Sequence, residues 1–190
     1  YQAASGSVVF PPGTTTRSIT LMVEGDALYE GDEVFGVRLL SASLGTIADD
    51  LGEVTIVDDE QMPELSIGEV SLSEAECQSG TLDFEVLLSE ASGVVTRVDH
   101  ATTDGTATAG EDYSATTGTL ELPAGQVQAI VSVPVLCDDA YEPDENLTVT
   151  LSNPVNALLG VPAASGTITN DDPLPTLAVG DAAAAEGDSG

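Results

Sequence analysis

The chain repeats itself at one constant offset of 112 residues, the separation of Tyr29 from Tyr141 and of Tyr1 from Tyr113. The matches include Gly6 with Gly118, Pro11 with Pro123, Gly13 with Gly125, Val23 with Val135 and Asp26 with Asp138. They continue through Glu30 with Glu142, Glu33 with Glu145, Val37 with Val149, Ile56 with Ile168, Pro63 with Pro175 and Gly68 with Gly180. A repeat must be settled before any other reading of a sequence. This unit is too long for a solenoid turn and suits a globular bead. Its natural start is near Pro63, after the acidic link Asp58-Asp59-Glu60-Gln61-Met62. The expected organisation is the last part of one repeat (1–62), one whole repeat (63–173) and the opening of a third (174–190), with both ends cutting through domains.

The most distinctive part of the unit is an acidic turn, Asp138-Asp139-Ala140-Tyr141-Glu142-Pro143-Asp144-Glu145-Asn146. Its earlier copy is Gly25-Asp26-Ala27-Leu28-Tyr29-Glu30-Gly31-Asp32-Glu33. A turn that needs only to be polar is served by Gly, Ser or Asn. Carboxylates packed this closely repel one another unless a cation lies among them, and hard divalent cations take clustered oxygens.

Composition sharpens the point. The chain has 33 acidic and 3 basic residues, no lysine, and a net charge of -30. Phosphate-backbone binding rests on Lys and Arg, so nucleic-acid recognition is excluded as a main activity, as is attraction to anionic membrane surfaces. Such a charge destabilises a compact chain at low salt, which makes salt or divalent cations the expected environment. No apolar run is long enough to span a bilayer, so direct membrane insertion is not expected.

Within 63–173, short β-patterned runs alternate with turn signals. Expected strands cover Leu65 to Leu72, Thr81 to Leu88, Val94 to Thr102, Thr117 to Leu122, Val127 to Leu136, a run carrying Leu147, Val149 and Leu151, and Ser165 to Asn170. About seven strands without helical periodicity read as an all-β, immunoglobulin-like antiparallel β-sandwich, here in tandem.

Four segments together resemble the Calx-beta domain: Asp104-Gly105-Thr106-Ala107-Thr108-Ala109-Gly110-Glu111-Asp112-Tyr113; Gly118-Thr119-Leu120 with Pro123-Ala124-Gly125; the acidic turn; and Gly166-Thr167-Ile168-Thr169-Asn170-Asp171-Asp172. The resemblance implies a seven-stranded sandwich that binds Ca2+ at one tip, near the junction with the next domain. The ligands it implies are Glu74 or Glu76 in the first loop, then Asp112, Asp138, Asp139, Glu142, Glu145, Asp171 and Asp172. In the first repeat they are Asp26, Glu30, Glu33, Asp58, Asp59 and Glu60. Two departures from the family pattern imply fewer or more weakly held ions. Cys137 and Gly25 stand where many members have a further Asp, and Asn170 replaces the Asp that the first repeat keeps as Asp58.

The competing reading is a solvated acidic surface of halophile type. Against it, the acids concentrate where a sandwich has its loop tips, while the strands stay largely neutral. Magnesium fits less well, because it favours few protein ligands and keeps its waters. The resemblance also places Cys77 and Cys137 at the same tip, and a disulfide between them is the expectation, in keeping with an oxidising compartment. The lone His100 has no acid–base partner nearby, and no Gly-x-Ser-x-Gly elbow is present. The chain is therefore read as a non-enzyme.

The leading expectation is a segment of a secreted or cell-surface array, an adhesin stalk or filament whose junctions Ca2+ stiffens. Its partners would be neighbouring repeats of the same chain, and identical subunits in a filament. The alternative is a calcium-sensing regulatory module of a membrane-associated protein. Carbohydrate binding is disfavoured by an aromatic content of 4% without Trp.

Overall fold

A computed structural model describes residues 1–74, 80–138 and 140–187. Among these, all regular structure is extended. Strands β1 (Glu33–Arg38) and β2 (Leu51–Ile56) form an antiparallel pair. The remaining nine strands are β3 (Glu64–Ile67), β4 (Val70–Ser73), β5 (Thr81–Leu88), β6 (Thr96–Asp104), β7 (Thr117–Leu122), β8 (Gln128–Pro134), β9 (Glu145–Val155), β10 (Leu158–Val161) and β11 (Ala163–Thr169). They make two sheets, ordered β10-β3-β5-β8 and β4-β11-β9-β6-β7.

Strand alternation drives this arrangement. In β5, Leu82, Phe84, Val86 and Leu88 are buried while Asp83, Glu85 and Leu87 face out, and β9 buries Leu147, Val149 and Leu151 in the same rhythm. Successive side chains of a strand point to opposite faces, so each sheet offers one apolar face and closes it against the other. Gly166 lets the sheets approach: a Cβ there would lie 2.7 Å from Phe84 Cζ. The core cluster is drawn entirely from residues between Leu65 and Ile168, so the whole repeat closes its own interior without a side chain from the first 62 residues. The expected β-sandwich of immunoglobulin type is the fold observed.

Two expectations about individual strands are corrected. Leu65 to Leu72 is not one strand. It breaks at Gly68-Glu69, so that β3 joins β5 in one sheet and β4 joins β11 in the other. The switch ties both sheets to one continuous piece of chain. The sequence reading also lacked β10, which pairs parallel with β3. All four of its residues are exposed, so it has no alternation to read. Asn153 and Asn156, with φ of 50° and 60°, turn the chain there in the left-handed region that Asn tolerates better than most residues.

The sandwich has two poles. One gathers the β5–β6 corner around Ser92, the β7–β8 turn Pro123-Ala124-Gly125 and the β9–β10 turn. The other gathers Glu74 just after β4, the long loop between β6 and β7, the described residues of the acidic turn before β9, and the residues just after β11.

The first repeat keeps one part of this plan. β1 and β2 pair with Glu33 opposite Ile56 and Arg38 opposite Leu51; β9 and β11 pair with Glu145 opposite Ile168 and Thr150 opposite Ala163. At the 112-residue offset these are the same partners in the same register. Tyr1 also stacks on Phe35 with ring centroids 4.1 Å apart, at positions that correspond to the buried Tyr113 and Leu147.

Tyr113 is 1% exposed, and its hydroxyl donates to Asp104 Oδ1 across the long β6–β7 loop. Tyr113→Phe leaves the ring in place and removes a bond to a charged acceptor, so it should cost about 1.5–3 kcal/mol. Chemical denaturation of residues 63–173 would measure it.

Candidate metal centre

The acidic pole is assembled by ordinary strand pairing and turn chemistry. β4 and β11 run parallel, with Thr169 opposite Ser73, so the residues that follow each strand emerge side by side. Glu74 therefore lies next to Asp171 and Asp172, each offering a carboxylate oxygen within 4.8 Å of the others. Thr169 Oγ1 donates to Leu72 O at 3.3 Å and secures the two strand ends.

A second group forms from the long loop and the start of β9. Asp104 Oδ1 accepts from Ala109 N at 3.0 Å and from the Tyr113 hydroxyl, while Asp112 Oδ2 accepts from Thr108 N at 2.7 Å. Gly110, with φ of 92°, supplies the reversal. Leu136 N donates to Asp112 O at 2.8 Å, which fastens this loop to the end of β8. Ala107 N donates to Asn146 O, and Asn146 N to Thr106 Oγ1, both at 2.9 Å, which fastens it to β9. The result brings Asp112, Glu142 and Glu145 together, again with oxygens within 4.8 Å. That separation fits the diameter of a calcium shell, about 5 Å for bonds of 2.3–2.6 Å.

The electrostatics make the two groups one site. Burial, then the charges of Asp172, Glu142, Asp138 and Asp171, raise the Glu74 carboxyl above its usual range. Glu142 is raised by burial, Asp112, Asp138 and Glu111. Glu145 is pushed up to about 7 by burial and then by Asp112, which repels it and shares a hydrogen bond with it, with Glu142 and Glu74 behind. Glu74 Oε2 is buried with no hydrogen-bond partner, although such an oxygen needs one. A buried carboxylate oxygen without a partner, beside other carboxylates at this spacing, suits a cation seat. The donor set is all oxygen, which suits calcium and not the nitrogen and sulfur preferences of zinc.

The other sequence-derived ligands fall into three places. Asp138 feeds the field on Glu74 and Glu142, and its Oδ1 accepts from Ala140 N at 2.7 Å. Glu76 and Asp139 lie outside the described residues. So does Cys77, and the expected disulfide with it; Cys137 is exposed at the head of the acidic turn. In the first repeat, Asp26, Glu30, Glu33, Asp58, Asp59 and Glu60 do not form a three-acid group of this kind. At the 112-residue offset, the counterparts of Glu74 and Asp112 would precede Tyr1.

Position 170 is a structural clasp. Asn170 Oδ1 accepts from Glu142 N and from Asp172 N, each at 3.3 Å, while Asn170 N donates to Asp144 Oδ1 at 3.0 Å. In the first repeat Asp58 Oδ2 accepts from Glu30 N at 3.0 Å, Asp58 Oδ1 accepts from Glu60 N at 3.2 Å, and Asp58 N donates to Asp32 Oδ1 at 3.0 Å. Asp and Asn share these three bonds, while Asp58 Oδ2 also accepts from Gly31 N at 2.6 Å and Asn170 Nδ2 also donates to Asp172 O at 3.1 Å. Asp58 is held below the usual range chiefly by Gly31 N, and its shared bond raises Glu60. The sequence reading counted Asp144 among the clustered carboxylates and Glu111 within a motif, but named neither as a ligand. Their place in the acidic turn and in the Gly-Glu-Asp-Tyr segment was the signal available.

A tandem all-β chain with an oxygen-lined, proton-retaining acidic pole is a cation-binding repeat protein by fold and by site. The model of the Calx-beta domain matches residues 1–61 and 57–173, and the chain belongs to that family. Sodium/calcium exchanger 2 of Rattus norvegicus is 30% identical over 172 residues, covering 81% of this chain and 19% of the exchanger. The chain thus corresponds to about a fifth of that relative's length. Among solved structures, the crystal structure of the apo-form Calx CBD1 domain gives a TM-score of 0.54 at 28% identity, over 59% of this chain and 100% of that one. The crystal structure of calcium binding domain CBD12 of CALX1.1 gives 0.53 at 29% identity, over 57% of this chain and 46% of that one.

The raised Glu145 carboxyl has a pH consequence. The folded, metal-free domain binds a proton between about pH 4.5 and about pH 7 that the unfolded chain releases, so stability falls as pH rises through that window. In EDTA the melting temperature of 63–173 should drop from pH 5 to pH 7.5. Glu145→Gln should flatten that slope and raise the metal-free melting temperature at pH 7.5. A wild-type melt that rises with pH, or a Gln variant with an unchanged slope, would refute the assignment.

Proposed function

We propose that the chain is a calcium-binding structural segment of a secreted or cell-surface array, divided as 1–62, 63–173 and 174–190, with calcium stiffening the junctions between successive sandwiches. Asp112, Glu142 and Glu145 would hold one ion, and Glu74, Asp171 and Asp172 a second, with Asp138 contributing charge. Bound calcium supplies positive charge and an oxygen-coordinating centre. The chain's own part is to bring loops from four places in the sequence to one pole and to hold their carboxylates within a shell's diameter.

The observation that carries this reading is the buried Glu74 Oε2, without a hydrogen-bond partner among the described residues and within 4.8 Å of carboxylate oxygens of Asp171 and Asp172, directly beside the link into the next repeat. Asp171 and Asp172 belong to that link, so coordinating them ties the link to the sandwich. Pro175, like Pro63, restricts the backbone just beyond it. A net charge of -30 fits a partnership with cations and with neighbouring repeats, and with identical subunits only where cations screen them.

The match to the sodium/calcium exchangers favours a second reading, a calcium-sensing module of a membrane-associated protein. The two differ in what calcium does to shape. A stalk becomes straighter and stiffer without changing its fold, whereas a sensor moves between two defined arrangements.

Thermal melts of 63–173 in EDTA and across a calcium series, at fixed ionic strength, test the binding. At a hundredfold excess over the dissociation constant, calcium should add about 2.7 kcal/mol, or roughly 10 °C. Glu74→Gln and Asp112→Asn should each reduce the shift, and the pair together should abolish it. A shift matched by sodium at equal ionic strength would leave only a solvated acidic surface.

A further inference from the structure

The first repeat touches the second through a small, well-made corner. Tyr29 pairs with Ser92 in a single parallel bridge, and Tyr29 O accepts from Gly93 N at 2.9 Å and from Ser92 Oγ at 3.0 Å. Both lone pairs of that carbonyl are used. Ser92 is only 2% exposed, and its hydroxyl also accepts from Val94 N at 3.2 Å, which fixes its direction. Gly125 N donates to Ser92 O at 2.8 Å and braces the corner from the β7–β8 turn. Glu30 lies across Gly93 so closely that a Cβ there would fall 2.5 Å from Glu30 Cγ. The corner accepts the turn because residue 93 has no side chain.

The turn that fills the corner and its copy share their opening hydrogen bond and part ways after the Tyr-Glu pair, where Gly31 with φ of 79° is matched by Pro143. Leu28 N donates to Asp26 Oδ1 at 2.9 Å, and its counterpart Ala140 N donates to Asp138 Oδ1 at 2.7 Å. The clasp at Asp58 recurs in part at Asn170: the bonds from Glu30 N and Glu60 N and the bond to Asp32 have counterparts, whereas the bond from Gly31 N at 2.6 Å has none because Pro143 lacks an N–H. Tyr141 is 45% exposed in that second copy.

We infer that the Ser92-Gly93 corner is a receptor for the Tyr-Glu turn of the preceding repeat, and that the Tyr141-Glu142 turn is the matching plug for the same corner of another copy of this unit. Turn and corner sit at opposite poles, so each unit has one of each and units join head to tail. The joint is made by two hydrogen bonds to one main-chain carbonyl, from Gly93 N and from the Ser92 hydroxyl, and by the absence of a side chain at residue 93. Its register is therefore set by the backbone and not by the ion. This rests on the tandem arrangement in the proposed function and not on calcium.

Amide exchange, read by NMR in EDTA, separates the two. In the full chain, Gly93 should exchange at least about tenfold more slowly than in a chain beginning at Pro63, which retains the complete core. Val86, in β5, should be equally protected in both and reports that the sandwich is folded. In a chain joining residues 1–174 to a second copy of 63–190, both Gly93 amides should be protected. Gly93→Val in the first copy should expose only its own joint and increase the maximum dimension in small-angle scattering. Equal exchange of Gly93 with and without the first repeat would overturn the receptor. Protection confined to the first copy would overturn the plug. Loss of the calcium melt shift with Gly93 still protected would remove the calcium reading and leave this joint standing.

Discussion

Like charges at close range set the terms for this molecule. Carboxylates from four separated stretches of chain converge on one pole, where burial weakens the screening that water would provide. Something has to occupy the space between them, and without a cation that is a proton, held by Glu145 up to about pH 7. The surrounding loops are built to resist the repulsion. Asp104 and Tyr113 lock the long loop, Asn146 is fastened to Thr106, and Asn170 ties the acidic turn to the residues after β11. The sandwich beneath supplies the rigidity, because parallel pairing of β4 with β11 leaves Glu74 little freedom to swing away from Asp171 and Asp172.

Much of this was legible in the sequence, and the parts that were not share a cause. Thr81–Leu88 and Thr117–Leu122 were readable as strands because β5 alternates strictly and because turn residues bound β7. The break at Gly68 was not, since the two halves of that run are separated by their partners β5 and β11, far away in sequence. β10 was missed because Leu158-Leu159-Gly160-Val161 has no buried face to impose a rhythm. The acids themselves announced a cation-binding pole. Their grouping did not, since it depends on a parallel pairing that local pattern does not reveal. Asn170 is the sharpest case. Set against a family pattern it looks like a lost ligand. In three dimensions it accepts from Glu142 N and Asp172 N as Asp58 accepts from Glu30 N and Glu60 N, so the position keeps a structural part without its charge.

The two poles divide the labour of the unit. The acidic pole concentrates side-chain charge and answers to ions and pH. The opposite pole recognises a backbone carbonyl through Ser92 and Gly93, with the Glu30 side chain lying over Gly93. Orientation and stiffness can then be controlled separately along the chain.

The preserved register of β1–β2 and β9–β11 has a genetic corollary. Were each unit to carry the proposed turn and corner at the same sequence positions, adding or deleting whole units would leave each remaining joint as it was. Unequal crossing-over within the gene would change the length of the product without requiring any compensating substitution. Length is then a freely varying trait, while the geometry of each step is inherited unchanged.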